Sequence, residues 1–146
     1  MVKPIARNPV RPLEGARKKH REVERPIHEA ILRFMYFQYP RAAVHHSPNE
    51  VDASGANIAR AINKAKKMGM RPGWPDLEML WLGNFWTLEV KAPGNKPTKS
   101  QLECRDIIEA NGGRWACVTS VDEAKAVLDE WRREATAALE HRGTIT

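Results

Sequence analysis

Apolar residues recur at helical and strand spacing along most of the chain. From Pro26, which suits the first turn of a helix, Ile27, Ile31 and Phe34 repeat every three or four residues until Pro40 ends the pattern. The spacing of apolar residues and the turn residues between them predict four strands and three further helices. The strands are at 42–46, 75–81, 85–91 and 114–119, and the helices are at 57–68, 98–110 and 121–139.

The two central strands predict a β-hairpin. With its turn centred between Leu82 and Gly83, Asp76 stands opposite Glu89, and a slip of one residue would move Asp76 beside the next positions of the partner strand. Lys91 lies two residues after Glu89, so both side chains project from one face. The order α, β, α, β, β, α, β, α predicts a mixed α/β domain around one sheet.

Composition fits one globular domain. The chain has 146 residues, of which 42% are hydrophobic and 29% charged. No apolar run approaches the roughly 20 residues of a membrane span, and the basic N-terminus lacks the apolar core of a signal peptide. We therefore expect no membrane partner and a cytoplasmic location. Cys104 and Cys117 lie in no Cys/His cluster, so neither zinc nor a disulfide framework is predicted.

The net charge of +6 is concentrated at the N-terminus. Residues 1–21 hold seven basic residues and one acidic residue, and the remaining residues hold 17 of each. We predict that residues 1–23 form an irregular, flexible basic arm able to hold a polyanion, with one domain at 24–140 and a tail at 141–146. The alternative is an arm that only aids solubility.

The end of the hairpin carries the candidate chemistry. Two neighbouring carboxylates are unfavourable together, and a divalent cation such as Mg²⁺ relieves that repulsion. A bound ion activates water and polarises a phosphoryl oxygen, and an adjacent ammonium such as that of Lys91 stabilises the charge that develops on the phosphate. Charged residues on an exposed sheet face are the alternative, and the Gly73-Trp74-Pro75-Asp76 approach makes the combination more specific.

At these motifs the sequence resembles the VRR-NUC domains, a branch of the PD-(D/E)XK, restriction-endonuclease-like nucleases. The resemblance covers roughly residues 24–133 and implies a central mixed sheet flanked by helices, in the order αβββαβ with an extra helix before the second core strand. The matching pieces are G-x-P-D at 73–76, E-V-K at 89–91, S-Q at 100–101, the strand from Gly112, and an acid in the first helix, Glu29.

The resemblance also implies roles for single residues. Asp76 and Glu89 are expected to bind Mg²⁺, for which Mn²⁺ would substitute, with the Val90 backbone carbonyl as a further ligand. Glu29 is expected to approach the metal through a water, although the first turn of a helix favours an acid in any case.

For the reaction itself, the resemblance implies that Lys91 orients or activates the water. Gln101 would contact the water, the lysine or a phosphate, and its alternative role is to cap its own helix. The implied activity is that of a homodimeric Mg²⁺-dependent endodeoxyribonuclease, a DNA-repair type of enzyme that cuts branched DNA such as four-way junctions or flaps. The alternatives are an RNase, a restriction enzyme, a catalytically idle DNA-binding module and an unrelated interaction domain.

Other polar residues are weaker candidates. His45 and His46 end a strand without an acidic partner at ligand spacing, so we expect no metal or general-base role for them, and Trp74 is expected to pack. Five basic residues are predicted to contact DNA, although a solvated surface would look the same: Arg60, Lys64, Lys67, Lys96 and Lys99.

Overall fold

The computed structural model, which describes residues 14–48, 55 and 57–143, contains a four-stranded mixed sheet whose strands lie side by side in chain order. The first strand pairs antiparallel with the second and the second with the third, whereas the fourth runs parallel to the third. This is the predicted α/β fold. In chain order the elements are α1 (Glu14–Gln38), β1 (Ala43–His46), α2 (Asn57–Lys67), β2 (Leu77–Trp81), β3 (Asn84–Val90), α3 (Lys99–Ala110), β4 (Arg114–Val118) and α4 (Val121–Gly143).

The central hairpin has the predicted register. Leu77 pairs with Leu88. One residue farther from the turn on each strand, Asp76 lies opposite Glu89. The connecting turn has two residues, Leu82 and Gly83, both with positive φ (46° and 78°). Positive φ at both turn residues matches the right-handed twist of the two strands and so fixes their register.

Helices cover both faces of the sheet. On one face α1 and α4 pack together over buried side chains of the hairpin such as Met79 and Leu88. Ile31 of α1 and Leu128 of α4 belong to the same core cluster. On the other face α3 packs on β4 and reaches Glu89. The end of β3 is therefore buried on both sides, and even its polar residue Thr87 is fully buried.

The first helix begins earlier than the sequence predicts. It starts at Glu14 and carries Pro26 inside it, so the prediction of an irregular arm is wrong for residues 14–23. Proline usually marks a first turn because it lacks the N–H that an interior position donates. Here, the preceding turns are anchored by Glu24, which accepts a hydrogen bond from the backbone of Ala92 (3.1 Å). The rest of the predicted arm, residues 1–13, lies outside the described residues.

Three other boundaries bear on the predictions. The last helix continues to Gly143, so the predicted tail at 141–146 is wrong for residues 141–143, and the final three residues lie outside the description. Helix α2 ends next to Gly69 (φ 97°) as predicted, but none of its residues is buried. Within the residues described, no helix combines the length and apolar character needed to cross a membrane.

Candidate active site

Asp76 lies at the entrance to β2, in the segment that follows the Gly73 turn. Its side-chain Oδ2 accepts a hydrogen bond from the backbone N–H of Val90 (2.8 Å). Its backbone carbonyl accepts one from the N–H of Ser47 and lies 3.0 Å from Nδ1 of His46. These contacts fix the carboxylate at the end of the hairpin, between β1 and β3.

Glu89 lies beside Asp76 on β3 and is 2% exposed. Its Oε1 accepts a hydrogen bond from Nε2 of Gln101 (2.5 Å) and lies 3.1 Å from Nζ of Lys91. Its Oε2 is buried without a hydrogen-bond partner. Because a buried carboxylate oxygen is costly without a partner, this atom is a candidate metal ligand.

Burial dominates the electrostatics of both acids. It raises the pKa of Glu89 to about 8, with the Asp76 carboxylate adding to the effect and the Lys91 ammonium opposing it. Burial also raises the pKa of Asp76, against the stabilising Val90 N–H and Lys91. Both groups are therefore held in surroundings that disfavour the free carboxylate, and a divalent cation would relieve this effect more strongly than Lys91 does.

The start of α3 completes the site. Thr98 and Gln101 form a capping box, in which the Gln101 side chain also accepts a hydrogen bond from the N–H of Thr98 (2.8 Å). The Gly73 turn packs directly on this end of the helix: a Cβ at Gly73 would lie 2.4 Å from the carbonyl carbon of Ser100. Only glycine fits there, and this contact aligns the Asp76 segment with Gln101.

The two α1 acids differ in position. Glu24 bonds to Ala92, just past the end of β3, and its charge contributes to the raised pKa of both Asp76 and Glu89. Glu29 is half exposed and pairs with Arg25 (3.0 Å), although it borders the same cleft. Glu24 precedes Pro26, where the apolar pattern predicts the helix to begin, so no local pattern indicates it as a site residue. The geometry therefore favours Glu24 over Glu29 as the α1 acid of the site.

An open cleft of about 530 Å³ lies between α1 and Asp76, and Glu89 is not among its described lining residues. Asp76, Val90 and His28 line it together with His46, whose ring lies edge-on to that of His28 at 4.7 Å. Burial lowers the pKa of His28, and the electrostatic effect of the neighbouring His46 lowers it further. Both histidines are thus next to the candidate site, a position that their sequence context did not predict.

The five predicted DNA-contacting residues are all exposed, and none is among the residues lining this cleft. Lys99 lies 3.9 Å from Glu103, an exposed pair that contributes little to stability. Arg60, Lys64 and Lys67 belong to α2. Lys96 lies in the loop before α3, and Lys99 is the first residue of that helix.

The ligand set fits Mg²⁺ better than zinc. In the described part of the chain, no group of three or more His, Cys, Asp or Glu side chains is placed to hold a metal ion. Mg²⁺ commonly binds through one or two carboxylates and retains several waters, whereas structural zinc requires four protein ligands. Asp76 and Glu89, with the unpartnered Oε2, meet the first requirement.

Comparisons with known proteins bear on the fold. No family model and no curated protein sequence matches the chain. A solved structure titled "VRR_NUC domain protein" superposes with a TM-score of 0.55 at 20% identity, over 74% of this chain and 86% of that one. Another, titled "VRR_NUC domain", gives 0.50 at 21% identity, over 73% and 95%. We conclude that the chain has the restriction-endonuclease-like α/β fold of VRR-NUC domains.

Proposed function

We propose that the chain is an Mg²⁺-dependent endonuclease that hydrolyses phosphodiester bonds in DNA. The observation that carries this proposal is the buried Glu89 beside Asp76, with one oxygen held by Lys91 and Gln101 and the other without a partner. The likeness to structures titled as VRR-NUC domains, a nuclease family, supports the same activity.

In this proposal Asp76 and Glu89 hold the ion, with the Val90 carbonyl as a further ligand. When bound, Mg²⁺ polarises a phosphoryl oxygen and makes a water more acidic. Lys91 keeps an ammonium beside Glu89, where it stabilises negative charge developing on the phosphate. Gln101 holds the Glu89 carboxylate in one orientation by donating to Oε1. Glu24, rather than Glu29, is the α1 carboxylate next to these two ligands, and it acts through its charge without binding the ion directly.

Branched DNA is the proposed substrate class, and a homodimer is the proposed assembly that binds it. A two-fold dimer presents two equivalent sites to the two symmetric strands of a four-way junction. The exposed aromatic residues near the end of α1 offer a surface for such a contact, since Phe37 is 83% exposed and Tyr36 lies beside it. Light scattering should give a dimeric mass for the wild type and a monomeric one for Phe37→Ser; a monomeric wild type would contradict the dimer.

One assay tests the activity. The full chain is incubated with linear duplex, flap, four-way junction, single-stranded DNA and an RNA duplex, each with Mg²⁺, Mn²⁺, Ca²⁺ or EDTA. We expect cleavage of DNA with Mg²⁺ or Mn²⁺ and none with EDTA. Asp76→Asn, Glu89→Gln and Lys91→Met should each lower the rate by roughly 10²–10³ or more, and Glu130→Gln, at an exposed acid of α4, should leave it unchanged.

The same assay separates the alternatives. An idle DNA-binding module would shift the mobility of DNA without cutting it under any of the metals. An RNase would cut the RNA duplex in preference to the DNA. Cleavage that survives both EDTA and Lys91→Met would contradict the proposed site.

The basic residues outside the cleft are proposed to hold the DNA backbone. The logarithm of the DNA-binding constant falls linearly with the logarithm of the salt concentration. Each phosphate contact that is lost should make this negative slope shallower by about 0.9. Neutralising Arg60, Lys64 and Lys67 together should therefore flatten this slope, as should deleting residues 1–13, which precede α1 and carry three basic residues. An unchanged slope would remove the corresponding residues from the interface.

A further inference from the structure

A second cleft adjoins the first. It has a volume of about 440 Å³ and is lined by Ser47, Pro48, Gly69, Met70, Arg71 and Trp74. Two of these residues, Ser47 and Pro48, also line the cleft that contains Asp76. The two clefts therefore share one wall.

The aromatic wall of this second cleft is fixed in place. The indole Nε1 of Trp74 donates a hydrogen bond to the Glu78 carboxylate. That carboxylate also accepts one from the Ser47 hydroxyl (2.7 Å) and lies 3.6 Å from Nδ1 of His45. A ring that is already held in one orientation loses little conformational entropy when a ligand stacks on it.

One lining residue of the second cleft is cationic, and further cations precede the lining residue Gly69 along the chain. Arg71 belongs to its lining, and the last turn of α2 ends immediately before it with Lys64, Lys66 and Lys67. Helix α2 itself contains four basic residues and no acidic one. An aromatic and apolar interior beside cationic residues has the chemistry of a nucleotide site, in which the ring stacks on the base and the cations meet the phosphates.

Its distance from the candidate active site is short. Trp74 precedes Asp76 by two residues, which span at most about 7 Å of extended chain. Successive nucleotides rise about 3.4 Å along one strand of B-DNA. A base at Trp74 would therefore lie within one or two nucleotides of a phosphate at Asp76.

We propose that the second cleft binds an unstacked nucleobase of the strand that is cut, next to the scissile phosphate, and thereby selects DNA with an unpaired nucleotide at that point. This inference rests on the proposed nuclease function. A base inside a continuous duplex must first be unstacked and unpaired at a cost, which is smallest when the nucleotide is already unpaired. Selection for branch points then follows from this pocket.

Binding can be measured without cleavage. The fluorescent base 2-aminopurine is placed at the unpaired branch nucleotide of a flap, or paired in a linear duplex, and titrated with the full chain in Ca²⁺. We expect quenching in the flap that Trp74→Leu removes and Trp74→Phe retains in part. The control Trp115→Phe, at a tryptophan of β4 that contacts Arg105, should quench like the wild type. Equal quenching by Trp74→Leu and wild type, or no quenching at all, would overturn the proposal.

Cleavage provides the second readout. Loss of one base–aromatic stack should lower the ratio of flap kcat/KM to linear-duplex kcat/KM in Trp74→Leu by about 5- to 150-fold relative to the wild type. Arg71→Gln, at an exposed position of the lining, tests the same cleft if Trp74→Leu unfolds, and should weaken flap binding. If the wild type and Trp74→Leu cut flaps equally well, the nuclease proposal stands and the proposed base site is excluded. A wild type that cuts no DNA removes the nuclease proposal, and 2-aminopurine quenching then still decides the base site.

Discussion

The side chain of Gln101 connects the first turn of α3 to the buried acid Glu89. Its Oε1 accepts the hydrogen bond that closes the capping box, from Thr98, while its Nε2 donates to Oε1 of Glu89. The sequence offered these two roles as alternatives for Gln101. A planar amide has an acceptor and a donor at opposite corners, so one residue fulfils both.

Substitutions can separate the two roles. Gln101→Glu keeps an acceptor for the cap but places a carboxylate against Glu89, so we expect the nuclease rate to fall roughly 10- to 100-fold, as for other residues that orient a metal ligand. Thr98→Ala removes the cap oxygen and leaves the bond to Glu89, so stability should fall by about 0.5–2 kcal/mol with the rate nearly unchanged. Urea denaturation and kcat/KM check both. The dual role is excluded if Gln101→Glu cleaves at the wild-type rate.

The two acids of α1 form a matched pair for a second test. Glu24→Gln removes a negative charge that contributes to the raised pKa of Asp76 and Glu89, whereas Glu29→Gln removes an exposed partner of Arg25. We expect Glu24→Gln to lower kcat/KM with Mg²⁺ by roughly 10- to 100-fold and Glu29→Gln to have little effect. The opposite order of effects would restore Glu29 as the α1 acid of the site.

Glu89 also predicts a pH dependence of stability without metal. Its pKa in the folded protein is about 8, against an ordinary value of 4.5. Between these values the folded state binds more protons than the unfolded state, so the free energy of unfolding falls as pH rises through this window. Binding of a divalent cation favours the carboxylate form, so the cation competes with this proton.

The pH dependence can be measured in EDTA. Denaturation of the wild type and Glu89→Gln, from about pH 5 to about pH 9, should show a wild-type stability that declines relative to the variant. Saturating Mg²⁺ should reduce the decline, and nuclease activity should rise over the same range. A difference between the two proteins that does not change with pH would exclude Glu89 as the titrating group.

The sequence predicted the hairpin well because its determinants are local. Alternation fixes which side chains share a face, and Leu82-Gly83 is predicted to form the turn, so the neighbourhood of Asp76 and Glu89 follows from local patterns. Their exact pairing was open to a slip of one residue, and the observed register places them opposite each other. The capping box of α3 was equally local.

The remaining parts of the site depend on contacts between distant segments. Glu24 meets Ala92 only because α1 continues through Pro26 and crosses the end of the sheet, and no local pattern encodes that crossing. Similarly, His46 gains its place beside Asp76 from the pairing of β1 with β2. Local patterns therefore predict the hairpin acids together with Lys91 and Gln101, and they carry no signal for Glu24 and His46.

Gly73 and Gly94 test the packing of the Asp76 segment on α3. Both have positive φ, so alanine at either position is strained by about 1–2 kcal/mol. Only at Gly73 would the added Cβ also meet backbone, at 2.4 Å from Ser100, whereas nothing lies within 4 Å at Gly94. We expect Gly73→Ala to lose both stability and activity and Gly94→Ala to lose stability only. Equal losses of activity would show that the close contact at Gly73 does not align the site.

The turn residue Leu82 offers a stabilising change. It has a φ of 46°, a conformation that asparagine adopts more readily than leucine, and its side chain is 62% exposed. Leu82→Asn creates the Asn-Gly pair preferred in two-residue hairpin turns, so stability should rise by about 0.5–2 kcal/mol. Leu80→Asn is the control, because it removes a similarly exposed leucine from β2, where asparagine is disfavoured, and should not stabilise. Denaturant midpoints of the two variants compare the effects directly. If both variants gain equally, removal of exposed apolar surface, rather than the left-handed backbone at Leu82, is the cause.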